Sequence, residues 1–299
     1  MTGNYRILSL LILVSFPFRM PAQEPSTPPP AGPYLGQRAP GEEPQVFAPG
    51  LVSDTGDRLH GPLTISPDGK VVCWSVIPPA IRYRFQRDDG SWSEPLTIPL
   101  QVKRLTAAQF APDGRLWFQG VPEDGSGGVD LGFVTWDGHA WSGPRWPGPA
   151  VNSETMDSNP TATLSGDLYL TGSRPGKIWN RGIHHIPFKD GYFQPRTYLA
   201  PPVNDGDGCI DYTPFVAPDG HYLIWSSSRP ADAEADLKLY LSHRTADGTW
   251  GKPVNLSERL GLHHAARFPS VSPDGRFLFF LMDNRIWWVD AGILEEKNR

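Results

Sequence analysis

Asp157 and Asp211 are the residues of this 299-residue chain best suited to acid–base work. Each stands shortly before one of a set of recurring glycine turns, so two successive structural units could present them to one space. Glycoside hydrolysis needs one carboxyl group as acid and another as base or nucleophile, about 5 to 10 Å apart. The same window of each repeat, six to eleven positions before its glycine, also holds His60, Arg104, Thr106, Asn159, Tyr212, His264 and Arg267. Arginine pairs with carboxylate or phosphate and aspartate accepts hydrogen bonds from hydroxyls, so the same set could hold a polar ligand without turning it over. The binding candidates are therefore His60, Arg104, Asp157, Asp211, Tyr212 and Arg267. Trp179 joins them as an aromatic outside the repeat pattern.

Other chemistry finds little support. The run Asn204-Asp205-Gly206-Asp207-Gly208-Cys209-Ile210-Asp211 has the oxygen density of a calcium loop. Cys209, however, sits where a ligand should alternate, and no bidentate Glu closes the loop. His184-His185 and His263-His264 are adjacent pairs that point apart on a strand, and neither forms a His-Glu-x-x-His pattern. No Gly-x-Ser-x-Gly elbow, Walker loop or dinucleotide fingerprint occurs. Neither a metal nor a cofactor is expected.

The elements that must position these residues follow from an internal repeat. Ser66-Pro67-Asp68-Gly69, Ala111-Pro112-Asp113-Gly114, Leu164-Ser165-Gly166-Asp167, Ala217-Pro218-Asp219-Gly220 and Ser272-Pro273-Asp274-Gly275 place turn glycines 45, 52, 54 and 55 residues apart. An apolar strand follows each turn, as in Val71–Ser75 and Phe277–Leu281. A second signature, Asp-Gly followed by an aromatic, recurs at Asp89, Asp137, Asp190 and Asp247. Pro sets φ and Asp-Gly supplies the turn, so each unit is two hairpins, or four strands. The 31 Gly and 33 Pro leave little room for long helices. The expected fold is an all-β, five-bladed propeller over residues 45–299. The fifth unit lacks its second hairpin turn, and Gln45-Val46-Phe47-Ala48 is free to supply the missing outer strand beside Trp287, which would close the ring and remove its edges. A six-bladed ring would require the Pro-rich stretch before residue 45 to fold as a blade.

These repeats resemble the WD-like Pro-Asp-Gly propeller family, related to TolB-like propellers, over roughly residues 45–290. Ser173-Arg174-Pro175, Ser228-Arg229-Pro230 and Asp236-Leu237-Lys238-Leu239-Tyr240 add to the likeness. The third unit departs from it at Ser165-Gly166-Asp167. The resemblance implies a propeller but no single activity, since its members include periplasmic interaction modules and domains attached to peptidases.

In such a blade the two repeated turns lie at one end. The variable second-to-third-strand segments, near 77–80, 119–130, 171–182 and 226–236, lie at the other with the inter-blade connections, and variable loops on a rigid scaffold are where binding resides. The reading is a binding or interaction module for a protein or cell-envelope glycan, acting through that face. The alternative is a glycan-active hydrolase or lyase using Asp157 and Asp211. The Trp residues of the Asp-Gly-aromatic turns read as packing between blades.

Residues 1–22, with Arg6 before the apolar run Ile7–Phe16, read as a secretory signal too short to span a bilayer, and 23–44 as a Pro-rich linker. A secreted or periplasmic monomer without a membrane span is expected. A net charge of −5 without a basic block argues against nucleic acid. Cys73 and Cys209 fall in blades that are not neighbours, and Cys73 lies in an apolar strand of the kind that buries an inert thiol.

Overall fold

The structure, a computed structural model, describes residues 29–123, 128–206, 209–229 and 237–295, with the side chains of all but 177–179 of these. The leader expected over 1–22 lies outside them. Among the described residues, no helix is long and apolar enough to cross a membrane.

Five antiparallel sheets form a five-bladed propeller. The inner strands are Arg58–Ile65, Lys103–Phe110, Ser158–Ala162, Asp211–Val216 and Arg267–Val271. The second strands, Val71–Ile77, Arg115–Val121, Leu168–Arg174, Tyr222–Ser227 and Phe277–Met282, begin directly after the expected turns. In the third unit the same turn survives without Pro-Asp-Gly. Gly166 N–H donates to the Thr163 carbonyl, as Gly69 does to Ser66, and Ser165 takes the place of Asp, 2.7 Å from the Thr163 hydroxyl. Blade 2 has three regular strands, and its outer segment meets the third and its continuation through isolated bridges, Phe133 to Arg145 and Trp136 to Trp141.

The ring closes where the sequence leaves a gap. Gln45 and Val46 pair with Trp288 and Trp287 as the outer strand of blade 5, and Phe47 N–H continues to the Ile286 carbonyl at 2.8 Å.

Each second strand is buried on both sides, so its sequence reads as a continuous apolar run rather than an alternating one. Alternate residues then serve opposite seams. Val72 and Trp74 pack against Phe279 and Trp288 of blade 5, while Val71 and Cys73 pack against Phe110 and Phe118 of blade 2. The core is accordingly five apolar clusters, one at each seam. The aromatics of the Asp-Gly turns join them: Trp92 is fully buried at the seam of blades 5 and 1, Trp141 meets Tyr83 edge-on at 5.4 Å, and Trp250 meets Tyr169 at 6.2 Å. Cys73 and Cys209 are both buried free thiols.

Two segments differ from expectation. Residues 30–41 of the Pro-rich stretch are docked rather than extended into solvent. Trp92 donates its indole N–H to the Gly32 carbonyl at 2.7 Å, Tyr34 meets Phe277 edge-on at 5.0 Å, and Leu35 is buried. Proline without an N–H suits a strap that forms no regular strand and pairs through an isolated bridge, Ala31 to Ser91. In blade 3 the stretch 171–182 is no long loop: Pro175-Gly176, with Gly176 at φ +73°, turns the chain between Leu168–Arg174 and Lys177–Ile186. Pro followed by Gly is itself a turn signal.

Candidate functional site

Each inner strand carries a register shift midway, between Leu59 and Leu63, Thr106 and Gln109, Tyr212 and Phe215, and Arg267 and Ser270, with a matching shift opposite Tyr169–Thr171 in blade 3. A bulge of this kind bends the strand and re-aims its side chains. At each bulge sits a left-handed residue: Gly61, Ala107, Asn159, Thr213 or Phe268. Proline follows in four of the five blades, where a missing N–H costs no ladder bond. Gly61 is required by space as well as by φ, because a Cβ there would lie 2.8 Å from that of Ser75. Together Pro62, Pro160, Pro214, Pro269 and Phe268 narrow the central channel to about 10 Å³, room for one water at most.

Above this waist, on the face bearing the second-to-third-strand segments, opens a blind funnel of about 340 Å³ to which all five blades contribute. Its polar lining includes His60, Asn159, Arg181, Tyr212 and Arg267, and its apolar lining Met156, Ile210, Leu237 and Phe268. Three of the candidate residues, His60, Tyr212 and Arg267, thus share one cavity. Arg104 is exposed and is not part of its wall. Trp179 falls in the third strand of blade 3, and its side chain lies outside the described residues.

Asp157 and Asp211 do not face the funnel. Two residues before the left-handed residue of each inner strand stand Leu59, Leu105, Asp157, Asp211 and Ala266, and all five are buried. In four of the five strands the next residue turns to the channel, giving His60, Ser158, Tyr212 and Arg267. Successive side chains on a strand point to opposite sides, so the two carboxylates enter the blade ends instead. There, Asp211 accepts from Trp225 Nε1 at 3.0 Å, from Arg229 at 2.6 Å and from Asp205 N–H at 2.9 Å. Asp157 accepts from Arg196 at 2.8 Å and from Ser153 N–H at 2.6 Å. Both carboxylates are fully buried, and their oxygens are committed to fixed donors that tie connecting segments to the blade.

The funnel's electrostatics come from cations. Burial pushes the His60 imidazole below its usual 6.5, and Arg267 and Arg58 push it further the same way, so His60 is neutral at pH 7. Burial raises the Tyr212 phenol, against the charge and hydrogen bond of Arg267. Burial also lowers Arg181, with Asp157 opposing, although Asp157 is already in contact with Arg196. Asn159 spends its amide N–H on Ser158 Oγ at 3.2 Å, and its Oδ1 is buried without a partner. His60 rests edge-on against Phe268, with ring centroids 5.4 Å apart.

Arg181 and Asn159 complete the wall. Asn159 lay within the sequence window but not among the binding candidates, and the Pro175-Gly176 turn that places Arg181 on a strand was the signal for it. No group of three or more His, Cys, Asp or Glu capable of holding a metal occurs among the described residues. The calcium-like run 204–211 lies partly outside them, and within it Asp205 N–H and Asp211 serve each other.

No protein-family model matches the chain, and no curated protein matches it in sequence. The Pro-Asp-Gly resemblance is therefore confirmed only as far as the propeller fold. Among solved structures, a thermostable family-43 glycoside hydrolase is 12% identical with a TM-score of 0.53, covering 77% of this chain and 88% of that one. An arabinanase of Bacillus subtilis is 15% identical with a TM-score of 0.47 over 78% and 94%. A gluconolactonase of Xanthomonas campestris is 13% identical with a TM-score of 0.45 over 87% and 97%. At such identities these are likenesses of fold.

Proposed function

We propose that the chain is an exported binding module that takes a terminal unit of a cell-envelope glycan into its central funnel. One observation carries the reading: all five blades build a blind cavity with both hydrogen-bonding groups and an apolar wall, the mixture that small-ligand sites use. Its 340 Å³ is near the lower end of the range of about 300–1,000 Å³ for such sites, which suits the end of a chain better than a long segment. Export rests on the apolar leader and the Pro-rich stretch after it. A hydrolase or lyase working through Asp157 and Asp211 would need both buried carboxylates to leave their arginine partners and cross to the other side of their strands. The binding reading needs no such movement.

The test is titration of the full chain with a panel of short neutral and acidic glycans, followed by nuclear magnetic resonance. Tyr212→Ala and Asn159→Ala should each weaken binding about tenfold or more, the loss of one well-placed hydrogen bond. Leu164→Ala, on the opposite face and 72% exposed, should not. Binding that survives both funnel variants, or product release from any glycan, overturns the reading.

A further inference from the structure

We propose that the funnel selects an acidic sugar unit: a pyranose ring bearing a single carboxylate. This rests on the binding-module reading and deepens it.

Three features of the wall converge. The first is charge. Arg181 and Arg267 line the cavity and, among the described residues, no Asp or Glu does. The one carboxylate that acts on Arg181, Asp157, already accepts from Arg196 at 2.8 Å. Around His60 the acting charges are Arg267 and Arg58, both cations. A chain of net charge −5 thus places positive charge in this funnel, whereas the opposite mouth, also lined by all five blades, has no charged residue in its lining among the described residues, and a low-dielectric concave wall strengthens that field for an anion. Guanidinium groups are also the donors that match a planar carboxylate.

The second feature is Asn159, which lines the cavity and whose Oδ1 is buried without a partner, so that turning the amide toward the opening would offer this acceptor to a ligand. An unmet acceptor in a site costs about 1–3 kcal/mol until a donor reaches it. A carboxylate or phosphate has no donor to offer, whereas a sugar hydroxyl does. A ligand that answers both the arginines and Asn159 must carry an anionic group and hydroxyls together.

The third feature is the apolar wall of Phe268, Met156, Ile210 and Leu237. The C–H face of a pyranose can lie on such a surface. A bare inorganic anion would gain nothing from it. The closed waist adds that the ligand enters from one side and ends there, as a terminal residue does.

The experiment is calorimetric titration of the full chain with methyl glucuronoside, methyl glucoside and glucose 6-phosphate at low and moderate salt. The glucuronoside should bind about tenfold more tightly than the glucoside, the margin of a charge-assisted over a neutral hydrogen bond, and the margin should shrink as salt rises. Arg267 is exposed, so Arg267→Met should fold normally, which thermal melting checks, and should bring the ratio close to one. Equal affinity for the two glycosides, or a ratio that persists in Arg267→Met, overturns the acidic preference. If Tyr212→Ala still abolishes both in that case, the binding-module reading stands. Tighter binding of glucose 6-phosphate would replace the carboxylate by a phosphate and also overturn the proposal. Failure of all three at millimolar concentration overturns both the preference and the reading beneath it.

Discussion

Replacing Asp211 by Asn separates an architectural carboxylate from a catalytic one. In the native protein one Asp211 oxygen accepts from Trp225 and Arg229, and the other from the Asp205 N–H. Asn offers one acceptor and one NH2, so either orientation sets a donor against a donor. It also leaves the Arg229 guanidinium, 10% exposed, beside a neutral group. Removing one partner of a buried pair costs about 3–5 kcal/mol. The low end applies here, because Arg229 keeps the carbonyls of Pro202 and Val203 and Asp205 lies 3.9 Å away. For a domain of this size, about 3 kcal/mol lowers Tm by about 6–12 °C. Urea denaturation and thermal melting of Asp211→Asn measure the cost, and a double-mutant cycle with Arg229→Met should give a coupling energy of about 1–3 kcal/mol. Glycan binding in the folded fraction should be nearly unchanged, since Asp211 does not line the funnel. Wild-type stability together with lost binding or lost turnover would refute the argument and restore Asp211 as a site residue.

Two further outcomes follow from the same packing. Burial, with Arg196 nearby, holds His184 down to about 4 against an ordinary 6.5. The unfolded chain therefore takes up a proton that the folded one refuses between those values. Stability is complete above pH 6.5 and falls by about 3 kcal/mol as pH drops to about 4; in His184→Gln this part of the acid loss should vanish from the pH dependence of urea midpoints. Phe47→Ala removes a fully buried ring that meets Phe279 at 5.2 Å and Trp288 at 5.0 Å. It should cost about 3–5 kcal/mol by loosening the closure of blade 5, read as a lower urea midpoint and faster proteolysis after residue 47.

Much of the scaffold was legible along the chain because turns are local. Pro-Asp-Gly and Asp-Gly-aromatic dictate backbone angles within four residues, so their recurrence counted the blades. The unpaired strand at Gln45 and the truncated fifth unit together implied the closure at Trp287. Even Thr163–Gly166, which departs from the motif, keeps its hydroxyl and its glycine. The docked strap was not legible. Its proline content argues against a regular strand over residues 30–41 and leaves open what they rest on. That was decided by the Gly32 carbonyl reaching Trp92 and by Tyr34 finding Phe277, partners far away in sequence.

The site divides in the same way. Sequence alone put His60, Tyr212 and Arg267 in the inner strands, and these meet in one cavity. It could not separate them from Asp157 and Asp211 in the same window, because a step of one residue reverses the side on which a strand's side chain emerges, and the bulges reset that phase within each strand. Only the assembled ring decided that the carboxylates turn inward to Arg196 and Arg229 while the cations line the opening. Periodicity is a property of the chain, whereas which side of a strand faces the channel depends on how five sheets close around an axis.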